Sequence, residues 1–441
     1  MLISFSASNF RSINDKVTLC IERSSTLKDP DDKLIPSPVE SVDDLLRTVV
    51  IYGLNGTGKS NLLKAFAFVQ NMIVYGHRLT QGEEISVEPF LLTIDNVIKP
   101  SYFQIVFISE GVKFEYEILV GRKRIVKEQL SAFPKNTRQI WFSREYQVAN
   151  NEYAWKFGSN FKGERESIKN RTLENALFLS KAAHENHVQV RPLFDFFQRK
   201  MTILTDRNSY SNKSRKMVQN PSTKHLIINF LRNLDLGIED INIKKIALFE
   251  DNDRLPDFLP KDARSEISKY TYLEAKTVHA IPGTNDTVLF DLESQESEGT
   301  KQAFALAGPI IDVLNTGGLL IVDELESSLH CKLFSYIIDY FNRPEVNKKN
   351  AQLIFTTHSP TVVDSMNDPR LGMLVELRRD QVWFTIKKDN GGTILYSLAD
   401  VIKTSKKFSS ARKGQNISKG ILEGKFYEPP TLRPHHQLDL F

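Results

Sequence analysis

Four groups of residues in this 441-residue chain have the types and spacing to handle a phosphorylated ligand. The first is Gly53-x-x-Gly56-x-Gly58-Lys59-Ser60, which follows the apolar run from Leu46 to Ile51. Glycines admit positive φ and let backbone N–H groups close around phosphate oxygens without a Cβ in the way. Lys59 can reach the outer phosphates and the Ser60 hydroxyl can ligate Mg²⁺. A helix starting near Lys59 adds the partial positive charge of its N-terminus. The stretch Asn55, Gly56, Thr57, Gly58, Lys59, Ser60 and Asn61 is therefore the candidate nucleotide-binding loop, with ATP and Mg²⁺ as its ligands.

The second group ends the run Leu319-Leu-Ile-Val-Asp323-Glu324. A buried strand that delivers acids at its C-terminal edge is where an α/β sheet carries ligand chemistry. Asp323 can hold the Mg²⁺ that bridges the β- and γ-phosphates, and Glu324 can polarise the attacking water as general base. The third group, Ser297-Glu-Gly299-Thr300, opens the preceding helix with small residues that leave N–H groups and a hydroxyl for phosphate. The fourth is His358 in Phe355-Thr-Thr-His-Ser-Pro360, at the end of the next buried strand and placed to touch a γ-phosphate.

The elements that must position these groups are legible from periodicity. Leu2 to Ile13 and Val17 to Ile21 alternate like strands. Leu62, Leu63, Phe66, Val69 and Met72 have helical spacing, giving a helix to about Tyr75. Residues 86–160 read as an antiparallel meander: Tyr102–Ile108 and Lys113–Leu119 around the turn Glu110-Gly111, then Arg124–Leu130, Gln139–Arg144 and Tyr153–Phe157. The aromatics of this region are read as sheet core, not as a base-stacking platform.

Helices are expected at Leu173–Ala183, Val190–Lys200 and Leu226–Leu234, and a mobile loop at the Ser, Asn and Lys cluster Asn208–Lys216. Ile241–Phe249, Thr271–Val278 and Thr287–Leu292 read as strands. The last third returns to α/β, with helices at Gly299–Leu314 and Leu329–Phe341 and buried strands at Leu319–Val322 and Gln352–Thr356. Small strands near the edge follow at Val375–Leu377 and Val382–Ile386, a turn at Asn390-Gly391-Gly392, and a basic tail after Lys403.

Composition narrows the class. The 58 basic and 54 acidic residues nearly cancel, so the overall field does not argue for nucleic acid. Two cysteines without a CxxC pair, Cys20 and Cys331, exclude a disulfide scaffold and a zinc ribbon. No signal-peptide pattern and no run of eighteen apolar residues is present, so a soluble cytoplasmic protein without a membrane segment is expected.

The order Asn9-Phe-Arg11-Ser, Gly-x-Asn-Gly-x-Gly-Lys-Ser, Ser-x-Gly, Asp-Glu, Ser327-Ser-Leu-His330 and Thr-His-Ser-Pro resembles ABC-type ATPase heads of the SMC, RecF and OLD kind. More closely, it looks like the prokaryotic ATPases grouped as AAA_15 and AAA_21, among them subunits of phage-defence systems of the PARIS, Rlo and abortive-infection types. The resemblance runs from Phe5 to about Pro430. It implies an α/β fold, a P-loop NTPase with an ABC-ATPase head: a mixed central sheet flanked by helices, an antiparallel β lobe and a short α+β insertion. The expected division is 1–190 for the N-terminal lobe, 191–285 for the insertion and 286–441 for the C-terminal lobe.

The resemblance further implies a homodimer, or a higher homo-oligomer, that sandwiches two ATP molecules. Ser297 and Gly299 of one copy would meet the γ-phosphate held by Lys59 of the other, while Asn55 and His358 sense that phosphate in cis and Arg11 lies near the nucleotide. Glu298 stands where transport ATPases usually have glycine, and His330 replaces the usual aspartate. Both departures speak against a transporter subunit. Gln104 and Glu128 are the candidates for the Q-loop residue.

Two functions follow from different classes. One is a regulatory ATPase that answers a phage-encoded trigger and controls a separate effector, a nuclease or toxin encoded beside it. The other is a RecF-like DNA-binding repair ATPase, using Arg122-Lys-Arg124, Lys213–Lys216 and Lys403–Lys419 for phosphate contacts. Near-neutral total charge favours the first, with these clusters as solvated faces.

Overall fold

The computed structural model describes residues 1–25, 27, 34–205, 207–247, 271–358 and 377–400. The basic tail after Lys403 and the strand ends at Val375 and Phe249 lie outside them. The chain divides into two compact units, one of Met1–Ile203, Gly317–Leu325 and Ile338–Phe441, the other of Leu204–Thr316 and Glu326–Ile337. Among the described residues no helix is long and apolar enough to cross a membrane.

In the first unit the strands are β1 (Leu2–Ser8), β2 (Val17–Cys20), β3 (Leu34–Ile35), β4 (Leu45–Leu46), β5 (Thr48–Tyr52), β6 (Ser101–Ser109), β7 (Val112–Val120), β8 (Ile125–Phe133), β9 (Gln139–Gln147), β10 (Glu152–Phe157) and β11 (Met201–Leu204). An antiparallel seven-stranded sheet has the order β10-β9-β8-β7-β6-β1-β2. The β6–β7 turn carries positive φ at Glu110 and Gly111, as its sequence requires. Strand β1 stops earlier than expected. The chain turns back at Asn9 and Arg11, both with positive φ, and Phe10 and Ile13 exchange backbone hydrogen bonds.

Helix Lys59–Tyr75 lies where its periodicity puts it. Its Leu62, Phe66 and Val69 share one core with Phe5 and Phe103 of the antiparallel sheet and with Ile51 behind them. Phe5 and Phe66 stack with centroids 3.7 Å apart.

Glu128 anchors this lobe. It is fully buried, pairs with buried Arg144 at 2.9 Å and accepts the N–H groups of Phe178 and Leu179 at 2.8 and 2.9 Å and the Tyr116 hydroxyl at 2.8 Å. Those amides open helix Phe178–His184, so the carboxylate caps a helix and ties it to the sheet. The reading of Glu128 as a Q-loop residue is thereby corrected. Gln104, the other candidate, lies on β6 and bonds Glu115 across the sheet at 3.2 Å.

The second unit holds β12 (Asp240–Ala247), β13 (Thr271–Ala280) and β14 (Thr287–Asp291), an antiparallel three-stranded sheet. The expected loop at Asn208–Lys216 is instead part of helix Arg207–Gln219. Composition misleads here because the helix is held by packing. Tyr210, Ser214 and Val218 recur every four residues and are buried. Ser214 accepts the Gly308 N–H at 2.9 Å and donates to the Ala305 carbonyl at 3.0 Å, both on helix Glu298–Thr316. A Cβ on Gly308 would lie 2.7 Å from the Ser214 backbone, so glycine is what permits this approach.

The remaining strands, β15 (Leu319–Val322), β16 (Gln352–Thr357), β17 (Val382–Lys387) and β18 (Thr393–Ser397), complete the central six-stranded sheet of the first unit. Its order is β11-β15-β16-β5-β17-β18. Strands β15, β16, β5 and β17 run parallel and β18 pairs antiparallel with β17, so the sheet is mixed. Strand β17 lies near the edge, as its short apolar run suggests, with β18 outside it and β5 directly beside it.

Candidate functional site

Register brings the chemical groups together. Val322 pairs with Phe355, Phe355 with Val50, and Val50 with Val382. The C-terminal ends of four parallel strands thus form one rim. Asp323 and Glu324 leave β15 there, His358 leaves β16, and the phosphate loop leaves β5. The Gly53 N–H donates to the Thr357 carbonyl at 3.3 Å, fixing the loop's start against the residue before His358. His358 itself is exposed.

The loop has the geometry its glycines allow. Gly56 and Gly58 have φ of 80° and 105°. No heavy atom lies within 4 Å of a Cβ built on Gly56, and Asn55 and Gly56 are exposed. On the opposite side a Cβ on Gly58 would lie 2.1 Å from Thr393 Oγ1. Helix Lys59–Tyr75 begins after Gly58 with no side-chain cap and no acid in its first turn, leaving its N-terminal dipole for an anion. Lys59 Nζ donates to the Gly53 and Leu54 carbonyls at 2.6 and 3.2 Å, so the ammonium is held over the loop itself. Thr57 faces inward: its hydroxyl bonds Leu54 and Thr385, at 2.8 and 2.7 Å.

A relay of hydroxyls holds the loop from behind. Asn61 Nδ2 donates to Ser12 Oγ at 2.8 Å, Ser12 Oγ lies 2.8 Å from Thr393 Oγ1, and Thr393 Oγ1 donates to the Thr57 carbonyl at 2.9 Å. Because a hydroxyl has one proton, Ser12 is the donor to Thr393. Sequence reasoning missed Ser12, Thr385 and Thr393. Their signal, hydroxyl residues in the turn after β1 and on β17 and β18, needs the strand order to be read.

The acids are arranged by another missed residue. Thr356 Oγ1 donates to Asp323 Oδ1 at 2.6 Å and accepts the Glu324 N–H at 2.8 Å. Glu324 has φ of 47°, a left-handed value unusual for a residue with a Cβ, and this hydrogen bond holds it there. Asp323 and Ser60 are the residues that would hold Mg²⁺. The donor set, a half-buried carboxylate and a hydroxyl beside an open anion cradle, suits a hard cation that keeps several waters. When bound, the ion would supply charge neutralisation at the phosphates.

Arg11 is placed against Glu88. The guanidinium pairs with that carboxylate and the Arg11 N–H donates to the Glu88 carbonyl at 2.8 Å.

Ser297 and Gly299 belong to the second unit. Ser297 Oγ accepts the Thr300 N–H at 3.1 Å and so caps helix Glu298–Thr316. A Cβ on Gly299 would lie 3.1 Å from the Ser328 carbonyl, so this first turn sits close to the Ser-Ser-Leu-His segment. Ahead of Ser297, Glu296 accepts from Thr277 and lies 2.7 Å from His279 Nε2, both on β13. Of the basic clusters, Lys213 pairs with Asp312 and Arg215 with Glu293, while Lys403–Lys419 lies outside the described residues.

Three solved structures of SMC head domains are similar to this chain at low identity. The SmcHead bound to the C-winged helix domain of ScpA is 16% identical over 90% of this chain and 97% of its own, with a TM-score of 0.39. The SMC head domain from Thermotoga maritima is 13% identical over 90% and 98%, with a TM-score of 0.38. The Smc head domain with an extended coiled coil from Pyrococcus furiosus, bound to the C-terminal domain of ScpA, is 12% identical over 90% and 96%, with a TM-score of 0.40. No curated protein matches the sequence. Residues 49–364 match the model of a family described as "AAA domain, putative AbiEii toxin, Type IV TA system". With its phosphate loop and Asp-Glu strand inside that span, the chain belongs to the AAA_21 family of P-loop ATPases.

Proposed function

We propose that this ATPase is a nucleotide-gated switch, the regulatory subunit of an antiviral system, whose conformational output controls a separate effector protein. ATP with Mg²⁺ binds the 53–61 loop, Glu324 activates water, and His358 reads the γ-phosphate from the neighbouring strand end. Two copies associate so that Ser297 and Gly299 of each complete the site of the other. The observation that carries the catalytic part is the single Thr356 hydroxyl that orients both Asp323 and the Glu324 backbone on the rim beside the phosphate loop. The family description, which names a toxin of a two-component system, supports a genetically paired partner.

The test compares wild type with Glu324→Gln and Lys59→Ala. Glu324→Gln is expected to keep ATP binding and lose hydrolysis by a factor of about 10²–10⁴, the usual cost of a missing general base. Lys59→Ala is expected to lose binding itself. Mixing Lys59→Ala with Gly299→Asp chains should restore hydrolysis in the heterodimer, and an unrestored rate in chains shown to exchange would refute the shared site. For the switch, pull-downs from cells expressing the neighbouring genes should recover a partner whose affinity changes with ATP by about 1–3 kcal/mol. Salt-dependent DNA binding by the isolated chain, with no nucleotide-dependent protein partner, would favour the repair reading instead.

A further inference from the structure

The first unit carries a surface groove of about 440 Å³ that the ATPase chemistry does not use. One wall is formed by Val87, Pro89, Val97, Ile98 and Lys99 and the other by the β7–β8 turn around Arg122. Along the first wall, large apolar side chains face solvent. Val97 and Ile98 are 39% and 88% exposed there and helix Ile94–Ile98 buries none of its residues, while Leu91, Leu92 and Ile94 of the same segment, 65%, 69% and 90% exposed, lie outside the groove's lining. Such a cluster is uncommon on a lone soluble surface and marks a place that another molecule covers. Along the second wall Arg122 and Lys123 are exposed, and Lys99 faces them from the first. Among the described residues none of these three has an ion-pair partner, whereas Arg124 is neutralised by Glu174 at 3.2 Å.

The groove is also braced rather than loose. Asn9 is buried, its amide donates to the Asn96 and Lys99 carbonyls at 2.9 Å each, and its Oδ1 accepts the Phe90 N–H at 3.0 Å. Asn96 in turn reaches Asn14 at 2.5 Å. The turn between Asn9 and Asn14 contains Ser12, the second member of the relay behind the phosphate loop. A rigid apolar floor beside unpaired cations is a preformed site, linked through one turn to the nucleotide loop.

We propose that this groove docks a short segment of a partner protein, one carrying bulky aliphatic or aromatic anchors flanked by Asp or Glu. The apolar side chains bind the anchors, while Lys99, Arg122 and Lys123 select the acids. Nucleic acid fits less well. Its backbone gains nothing from the apolar lining of Val87, Val97, Ile98 and Val120, and no aromatic side chain lines the groove to stack a base.

The test is selection of a random phage-displayed peptide library on the full-length chain without nucleotide, counter-selected on Ile98→Asp. Enriched peptides are expected to combine apolar anchors with acids. Their synthetic versions should bind at least tenfold more weakly to Ile98→Asp and to Arg122→Glu, both surface changes that leave folding intact. The proposal is overturned if no peptide is enriched, if the enriched peptides lack acids, or if both variants bind them like wild type. It is equally overturned if the two substitutions weaken binding of a labelled 20-nucleotide DNA but not of the peptides.

Discussion

The Thr356 hydroxyl donates to the Asp323 carboxylate at 2.6 Å, and the two residues come from adjacent parallel strands, β16 and β15. The same oxygen receives the Glu324 N–H. One side chain on the strand that leads to His358 therefore sets the geometry of both acids.

Thr356→Val keeps the buried shape and removes the hydroxyl. Phosphate release is expected to fall about 10–100-fold, the usual effect of losing a partner that orients a metal ligand, and to shift to higher Mg²⁺. Thr356→Ser should retain most activity. Equal rates for Val and Ser would show that the hydroxyl does not orient the acids.

The relay behind the phosphate loop makes a separate prediction. Thr393→Ala leaves the Thr57 carbonyl without its donor and should cost about 1–3 kcal/mol of stability, together with weaker ATP binding. Gly58→Ala is expected to be worse, since it adds a collision with Thr393 to a φ that disfavours any Cβ. Thermal unfolding with and without ATP measures both.

Glu128 should behave as a structural residue. Removing one partner of the buried Glu128–Arg144 pair is expected to cost about 3–5 kcal/mol, because the other charge stays buried. Glu128→Gln should lower the melting temperature and leave KM for ATP unchanged in the folded fraction. A changed KM at unchanged stability would return Glu128 to the nucleotide site.

His187 gives a pH dependence. It is 6% exposed and lies flat against Phe161 with centroids 4.6 Å apart, and burial pushes its pKa below the ordinary histidine value. As pH falls below about 6.5 the unfolded chain takes up a proton that the folded chain resists. Stability should therefore decline as pH drops from there. Urea unfolding of His187→Leu at pH 7 and pH 5.5 should show a flatter dependence than wild type.

Much of this was readable from residue order. Lys59–Tyr75 and the 101–157 meander carry strong periodicity, and the site glycines and acids sit at strand ends that their own sequences announce. What stayed hidden depends on neighbours far away in sequence. Thr356, Thr385 and Thr393 are ordinary strand residues until register places them against the acids and the loop. Helix Arg207–Gln219 has the polar composition of a loop and becomes a helix through the fit of Ser214 to Gly308. The position of β17 beside β5 could not come from a short apolar run that suits an edge equally well.

That placement of β5 has a consequence for synthesis. Its two neighbours, Gln352–Thr357 and Val382–Lys387, leave the ribosome only after about 300 further residues, which takes roughly 15–60 s at bacterial or slower elongation rates. Throughout that interval the phosphate loop exists as sequence but not as a site, and the apolar strand Thr48–Tyr52 has unpaired edges. Nascent chains stalled before Val382 should accordingly bind chaperones rather than nucleotide, so nucleotide binding is expected only after nearly the whole chain has been made.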